Sequence, residues 1–335
     1  MLAAFATTIF FSVSAVCAHR TTRQLGGVTA NFYRILLATA LLGLWGHTFG
    51  TGFSGKAWPY FFVSGLVGFG LGDLALYQAL PRLGSRLSVL LIQCLPVPLA
   101  AATEWLWLGT RLTVTEMVSG GVILAGVAWA LTPGEHLNLT RRDLQEGIFF
   151  GVLAALGQGG GALLSRKAAA VALAAGQQPP DGLTAAYQRI WGGLLVAALV
   201  WGLVWWHRKR SRLIGKVKSP SIVSEDSLPI DLSASEFASP PALREETETD
   251  SRVSQPRIWP WVLANALAGP ALGVGCYQRA LMQQGTGVVL PIVALTPIVI
   301  IPFALWIEGE RPTGRSLIGG IIAVAGAVAM ATAAR

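Results

Sequence analysis

Tyr77-Gln78 … Pro96 … Gly109-Thr110-Arg111 … Ser119-Gly120 … Gly126 is a run of landmarks that the chain states twice. Two hundred residues later it reads Tyr277-Gln278 … Pro297 … Gly309-Glu310-Arg311 … Gly319-Gly320 … Gly326, with the proline pair slipping by one. An earlier pair recurs at a spacing of 155: Thr29-Ala30 … Arg34-Ile35 against Thr184-Ala185 … Arg189-Ile190. The landmarks lie in apolar segments, and about 18 or more apolar residues are enough to cross a bilayer. A duplicated membrane domain places two related halves around a shared central site.

Of the 335 residues, 53% are hydrophobic and 13% charged, against about 25% charged in a soluble domain. That shortfall points to an integral, multi-pass protein of the cell or plasma membrane. The net charge of +8 does not argue for nucleic acid. Its charges sit in short connectors, where lysine and arginine orient a membrane protein. Cys17, Cys94 and Cys276 all fall in hydrophobic segments with no CxxC or Cys/His cluster, so neither a structural disulfide nor a zinc site is expected. Trp45, Trp58, Trp105, Trp107, Trp205, Trp206, Trp259, Trp261 and Trp306 flank the apolar runs, as an interfacial aromatic belt requires.

The apolar periods predict ten helices, near 3–19, 28–46, 58–80, 86–108, 113–132, 145–167, 184–206, 259–281, 286–307 and 314–333. Ser14-Ala15-Val16-Cys17-Ala18 is small and apolar like a secretory cleavage region. The segment lacks a basic leader and matches the sixth helix, so it reads as a span. The halves are then 1–133 and 143–335, five helices each. An odd count makes the second copy enter the membrane from the opposite side. The expected fold is therefore an all-α integral membrane protein of two inverted five-helix repeats, related by a pseudo-two-fold axis in the membrane plane.

The connector 207–258 interrupts the second half. It opens with His207-Arg208-Lys209-Arg210, turns rich in serine and proline, and ends acidic at Glu245-Glu246-Thr247-Glu248-Thr249-Asp250. Such a stretch buries too little apolar surface to offset its ordering entropy, and reads as a disordered tether. The connectors facing away from both termini carry most of the lysine and arginine, which by the positive-inside rule puts both termini outside.

Arg34 and Arg189 are the sharpest candidates for chemistry, each about six residues inside an equivalent helix. A charge that deep costs several kcal/mol unless it faces protein or water. The plainer reading is a guanidinium that snorkels to the interface or ties down helix-end carbonyls. Asp73 is the one carboxylate well inside an apolar segment. It is a structural partner for Arg34 or a proton-coupling residue, and Gly273 stands at the matching place of the second half. Tyr77, Gln78, Tyr277 and Gln278 suit either a cavity wall or helix-to-helix hydrogen bonds, and Gln93 and Gln158 are weaker candidates of the same kind. Pro96 and Pro297 should kink their helices, as cavity-shaping bends or through packing alone. The glycine clusters 157–161, 120–121 and 319–320 read as close helix contacts. No Walker lysine follows them, and no convergent nucleophile, base or metal-ligand set appears, so no enzyme and no cofactor are expected.

The order of these features resembles the drug/metabolite transporter superfamily, EamA type. The matching elements are two five-helix repeats, Arg34 and Arg189 early in the second helix of each, Pro96 and Pro297 in the fourth, and Gly309-Glu310-Arg311 before the last. The resemblance covers nearly the whole chain outside 207–258. It implies a ten-helix bundle with a central cavity, and alternating access for small metabolites, often export of amino acids or related compounds. It also implies cytoplasmic termini, opposite to the charge count. Gly109-Thr110-Arg111 departs from the pattern by lacking the glutamate. The expectation is a secondary transporter with a small-molecule substrate, the lipid bilayer and a proton or counter-substrate as partners. The alternatives are a sensor or scaffold signalling through 207–258, an intramembrane enzyme for lipid-linked substrates, and a channel.

Overall fold

The structure, a computed structural model, is described at residues 2–96, 99, 113–131, 140–217, 258–283, 286–309 and 313–333. These residues are helical apart from short connectors, and no strand occurs among them. One compact unit comprises Met1–Gly202 with Ile258–Arg335, and a second comprises Leu203–Arg257.

Helix α1 is Leu2–Leu25 and α2 is Gly27–Thr48. Thr7, Thr8 and Ser12 of α1 donate to carbonyls four residues back, which satisfies their hydroxyls inside an apolar environment. Next come α3, Trp58–Gly65, with Pro59 in its first turn, a π-turn π1 at Leu66–Gly72, and α4, Asp73–Cys94. Gly84 breaks α4 with a φ of 77°, in the left-handed region that favours glycine, so two predicted helices meet there end to end. Helix α5 is Val114–Leu131. Helix α6, Arg141–Ala174, is capped by the Thr140 hydroxyl, which accepts from the Asp143 N–H at 3.1 Å. Helix α7 is Gly182–Val217, with the Asp181 carboxylate accepting from the Leu183 and Thr184 N–H groups.

The second half repeats the interrupted helix. Trp259–Ala266 (α8) leads into π2, Leu267–Gly273, and then α9, Val274–Gln283. Helices α10 (Thr286–Val293), α11 (Thr296–Glu308) and α12 (Gly314–Ala333) follow.

Three expectations change. The predicted helix 286–307 is two helices, parted by the turn at Ala294-Leu295. Pro297 sits in the first turn of α11, where its missing N–H is no loss, rather than in mid-helix. Pro96 follows a matching turn at Leu95. The stretch beginning at His207 is helical through Val217, because α7 continues into the basic run. Residues 97–98 and 100–112 of the predicted helix 86–108 and its following turn, residues 218–257 of the expected tether, and Glu310-Arg311 lie outside the described residues.

Among the described residues, five helices are long and apolar enough to span a membrane: Leu2–Leu25, Gly27–Thr48, Trp58–Cys94, Arg141–Ala174 and Gly182–Arg210. Leu195 and Leu199 of α7 and Trp306 of α11 are exposed, as a surface meeting lipid tolerates and one meeting water does not. Small residues bring helices together. A Cβ on Gly319 would stand 2.6 Å from the Ala130 nitrogen, one on Gly126 2.5 Å from the Ala323 nitrogen, and one on Gly326 3.0 Å from that of Ile123. Helices α5 and α12, last in each predicted half, thus cross backbone to backbone. Gly157 of α6 likewise meets Gly72 at the end of π1. In the second unit the described part, Leu203–Val217, is helical, and the Lys209 ammonium lies 5.0 Å over the Trp205 ring.

A candidate substrate cavity between two arginines

Both π-turns lie beside a glycine that admits an arginine from the other half of the sequence. A Cβ on Gly68 in π1 would overlap Nη2 of Arg189, which α7 supplies. A Cβ on Gly269 in π2 would stand 3.1 Å from Nη1 of Arg34, which α2 supplies. A π-turn inserts a residue into the helical ladder and widens the turn, a device found at functional sites. Here it clears backbone for a guanidinium in each half.

The two arginines enclose a cavity of about 60 Å³. At roughly 10–15 Å³ for each enclosed water, that is room for about four to six. Its wall takes Phe11 and Ser14 from α1, Gln93 from α4, Gln158 from α6, and Pro270 and Tyr277 from π2 and α9, besides Arg34, Asp73, Tyr77 and Arg189. Both predicted halves contribute. The arginines are 5% and 2% exposed, so neither snorkels to the surface.

Their surroundings differ. Arg34 makes an ion pair with Asp73, donates to Asn31 Oδ1 at 3.2 Å, and lies 4.9 Å over the Tyr77 ring. Arg189 lies 5.1 Å over the Phe69 ring and makes no ion pair among the described residues, where the Nε of each arginine lacks a hydrogen-bond partner. The register of the π-turns explains the difference. Leu66–Gly72 aligns with Leu267–Gly273, a spacing of 201, so Val274 and not Gly273 stands where Asp73 stands in the first half. At the spacing of 155, Ala186 replaces Asn31. The second copy keeps its arginine and loses both partners.

The same register separates the Tyr-Gln pairs. At 201, Tyr77 corresponds to Gln278, and Tyr277 to Leu76. A slip of one residue turns a side chain about 100° around a helix. Tyr77 therefore accepts from Asn265 Nδ2 at 2.7 Å, while Ser14 donates to Asn265 Oδ1 at 2.7 Å. Gln278 donates to Ser165 Oγ at 3.1 Å, and Ser165 shares a 2.8 Å hydrogen bond with Ser64. Ser64 and Asn265 are themselves 201 apart, so the two networks occupy matching places. Gln278 is buried in that network rather than in the cavity wall, and the Gln78 side chain turns toward Arg82, whose Nη1 donates to its Oε1 at 3.4 Å and to its main-chain carbonyl at 2.7 Å. Tyr277 lines the cavity, its hydroxyl buried and without a hydrogen-bond partner among the described residues.

Sequence reasoning passed over Ser14, Phe69, Asn265 and the glycines at 68 and 269. The recurrence of Leu-x-Gly-x-x-Leu-Gly at 66–72 and 267–273 was the available signal.

No curated protein sequence matches the chain. A solved structure described as "Crystal structure of protein" superposes with a TM-score of 0.58, covering 98% of this chain and 94% of its own, at 17% identity. That likeness shows a shared fold. The EamA-like transporter family matches residues 1–132 and 189–332, which is most of the chain. With its apolar helices and its cavity between two arginines, the chain belongs to the EamA-like transporter family, and it is an integral, multi-pass membrane transporter of the drug/metabolite type.

Proposed function

We propose that the protein is a secondary transporter that exports a small metabolite, such as an amino acid or related compound, by alternating access between two inverted five-helix repeats, 1–133 and 143–335. The observation that carries this reading is the shared cavity, in which each half's arginine lies against the other half's π-turn. A wall built from both halves opens to one side or the other as the halves rock, and the site stays near mid-bilayer throughout. Arg34 and Arg189 organise the cavity. Tyr77, Tyr277 and Gln158 form part of its wall, and Asp73 is the candidate proton carrier. The sequence holds no nucleotide-binding motif, so a proton or counter-substrate gradient drives uphill export.

The test is a metabolite uptake and counterflow screen with purified protein in liposomes, run with and without a pH gradient. The expected result is saturable counterflow that Arg34→Ala and Arg189→Ala each abolish. Unsaturable flux marks a pore, and wild-type kinetics in both variants remove the arginines from the mechanism.

A further inference from the structure

Three ionised groups line the cavity: Arg34, Asp73 and Arg189. Arg34 and Asp73 neutralise each other as an ion pair, which leaves the wall with one surplus positive charge, on Arg189. That guanidinium is 2% exposed, within electrostatic reach of Asp73 but not paired with it. A buried charge without a partner is costly, and a membrane protein that keeps one uses it. On the same cavity wall, Tyr277 buries a hydroxyl that has no partner among the described residues.

We propose that the transported substrate carries a single carboxylate, which seats on Arg189 with the Tyr277 hydroxyl as a second donor. One surplus charge suits a monoanion, whereas a phosphate dianion would leave the cavity negative. The planar guanidinium fork matches a carboxylate edge. The rest of the wall is largely apolar, with Phe11, Leu76, Ile92 and Val274 available to an aliphatic body. Arg34 offers the anion no net charge, because Asp73 already neutralises it as an ion pair. This inference rests on the transport reading and names its substrate class.

The test uses the purified full-length protein in detergent, with melting temperature as readout. The probes are the protein amino acids, 4-methylpentanoate, the corresponding amides, and inorganic phosphate. At least one carboxylate should raise the wild-type melting temperature by several degrees while its amide raises it by less than one. Arg189→Gln should weaken that binding on the order of 100-fold, and Arg189→Lys should restore part of it. Should Arg189→Gln fail to fold, Tyr277→Phe preserves the shape and should weaken the same binding roughly tenfold. Amides binding as well as acids, no carboxylate binding, phosphate outdoing every carboxylate, or Tyr277→Phe leaving affinity unchanged would each overturn the proposal. Liposome flux separates the two readings. Flux without carboxylate preference leaves transport standing and removes the anion, and carboxylate binding without flux does the reverse.

Discussion

Arg34 and Arg189 descend from equivalent places in the two halves, yet the chain has made them different groups. Arg34 holds Asp73 and Asn31 and contributes no net charge to the cavity. Removing one member of a buried pair leaves the other uncompensated and costs about 3–5 kcal/mol. Asp73→Asn should therefore lower the melting temperature in detergent by several degrees, and pairing it with Arg34→Gln should recover part of that loss. Equal stability of Asp73→Asn and wild type would show that the pair holds nothing together. The legible part at this scale was the depth of both arginines and of Asp73. The hidden part was Tyr277, which is read as the twin of Tyr77 until the π-turns set the register one residue away.

At the scale of elements, glycine decides which helices can touch. Gly319 and Gly320 are adjacent in α12 and identical to a sequence reader. A Cβ on Gly319 would press on the Ala130 nitrogen and the Gly126 carbonyl, while one on Gly320 meets nothing within 4 Å. Overpacking a close contact costs about 1–3 kcal/mol. Gly319→Ala should therefore lower the melting temperature, and Gly320→Ala should leave it within a degree. Matching losses from both would refute the crossing of α5 and α12. The prolines teach a related point. Pro96 and Pro297 predict bends; at Pro297 the chain instead stops one helix and starts another, because the first turn is where a residue without an N–H fits best, and Pro96 follows a matching turn at Leu95.

At the scale of the molecule, the proposed inversion of the two halves makes a topological prediction. The connector after the second helix, within 47–57, and its counterpart after Val217 of the seventh should face opposite sides of the membrane. Ser54→Cys and Ser224→Cys, each in a background lacking Cys17, Cys94 and Cys276, should react from opposite sides with an impermeant thiol reagent. Labelling from one side would end the alternating-access reading.

By itself the sequence determined the class, the duplication and the buried arginines, because apolar length, repeated landmarks and charge depth are properties of local composition. Only the tertiary structure decided which arginine is neutralised and which tyrosine faces the cavity. Those outcomes depend on a one-residue register, and a helix converts that single residue into a third of a turn.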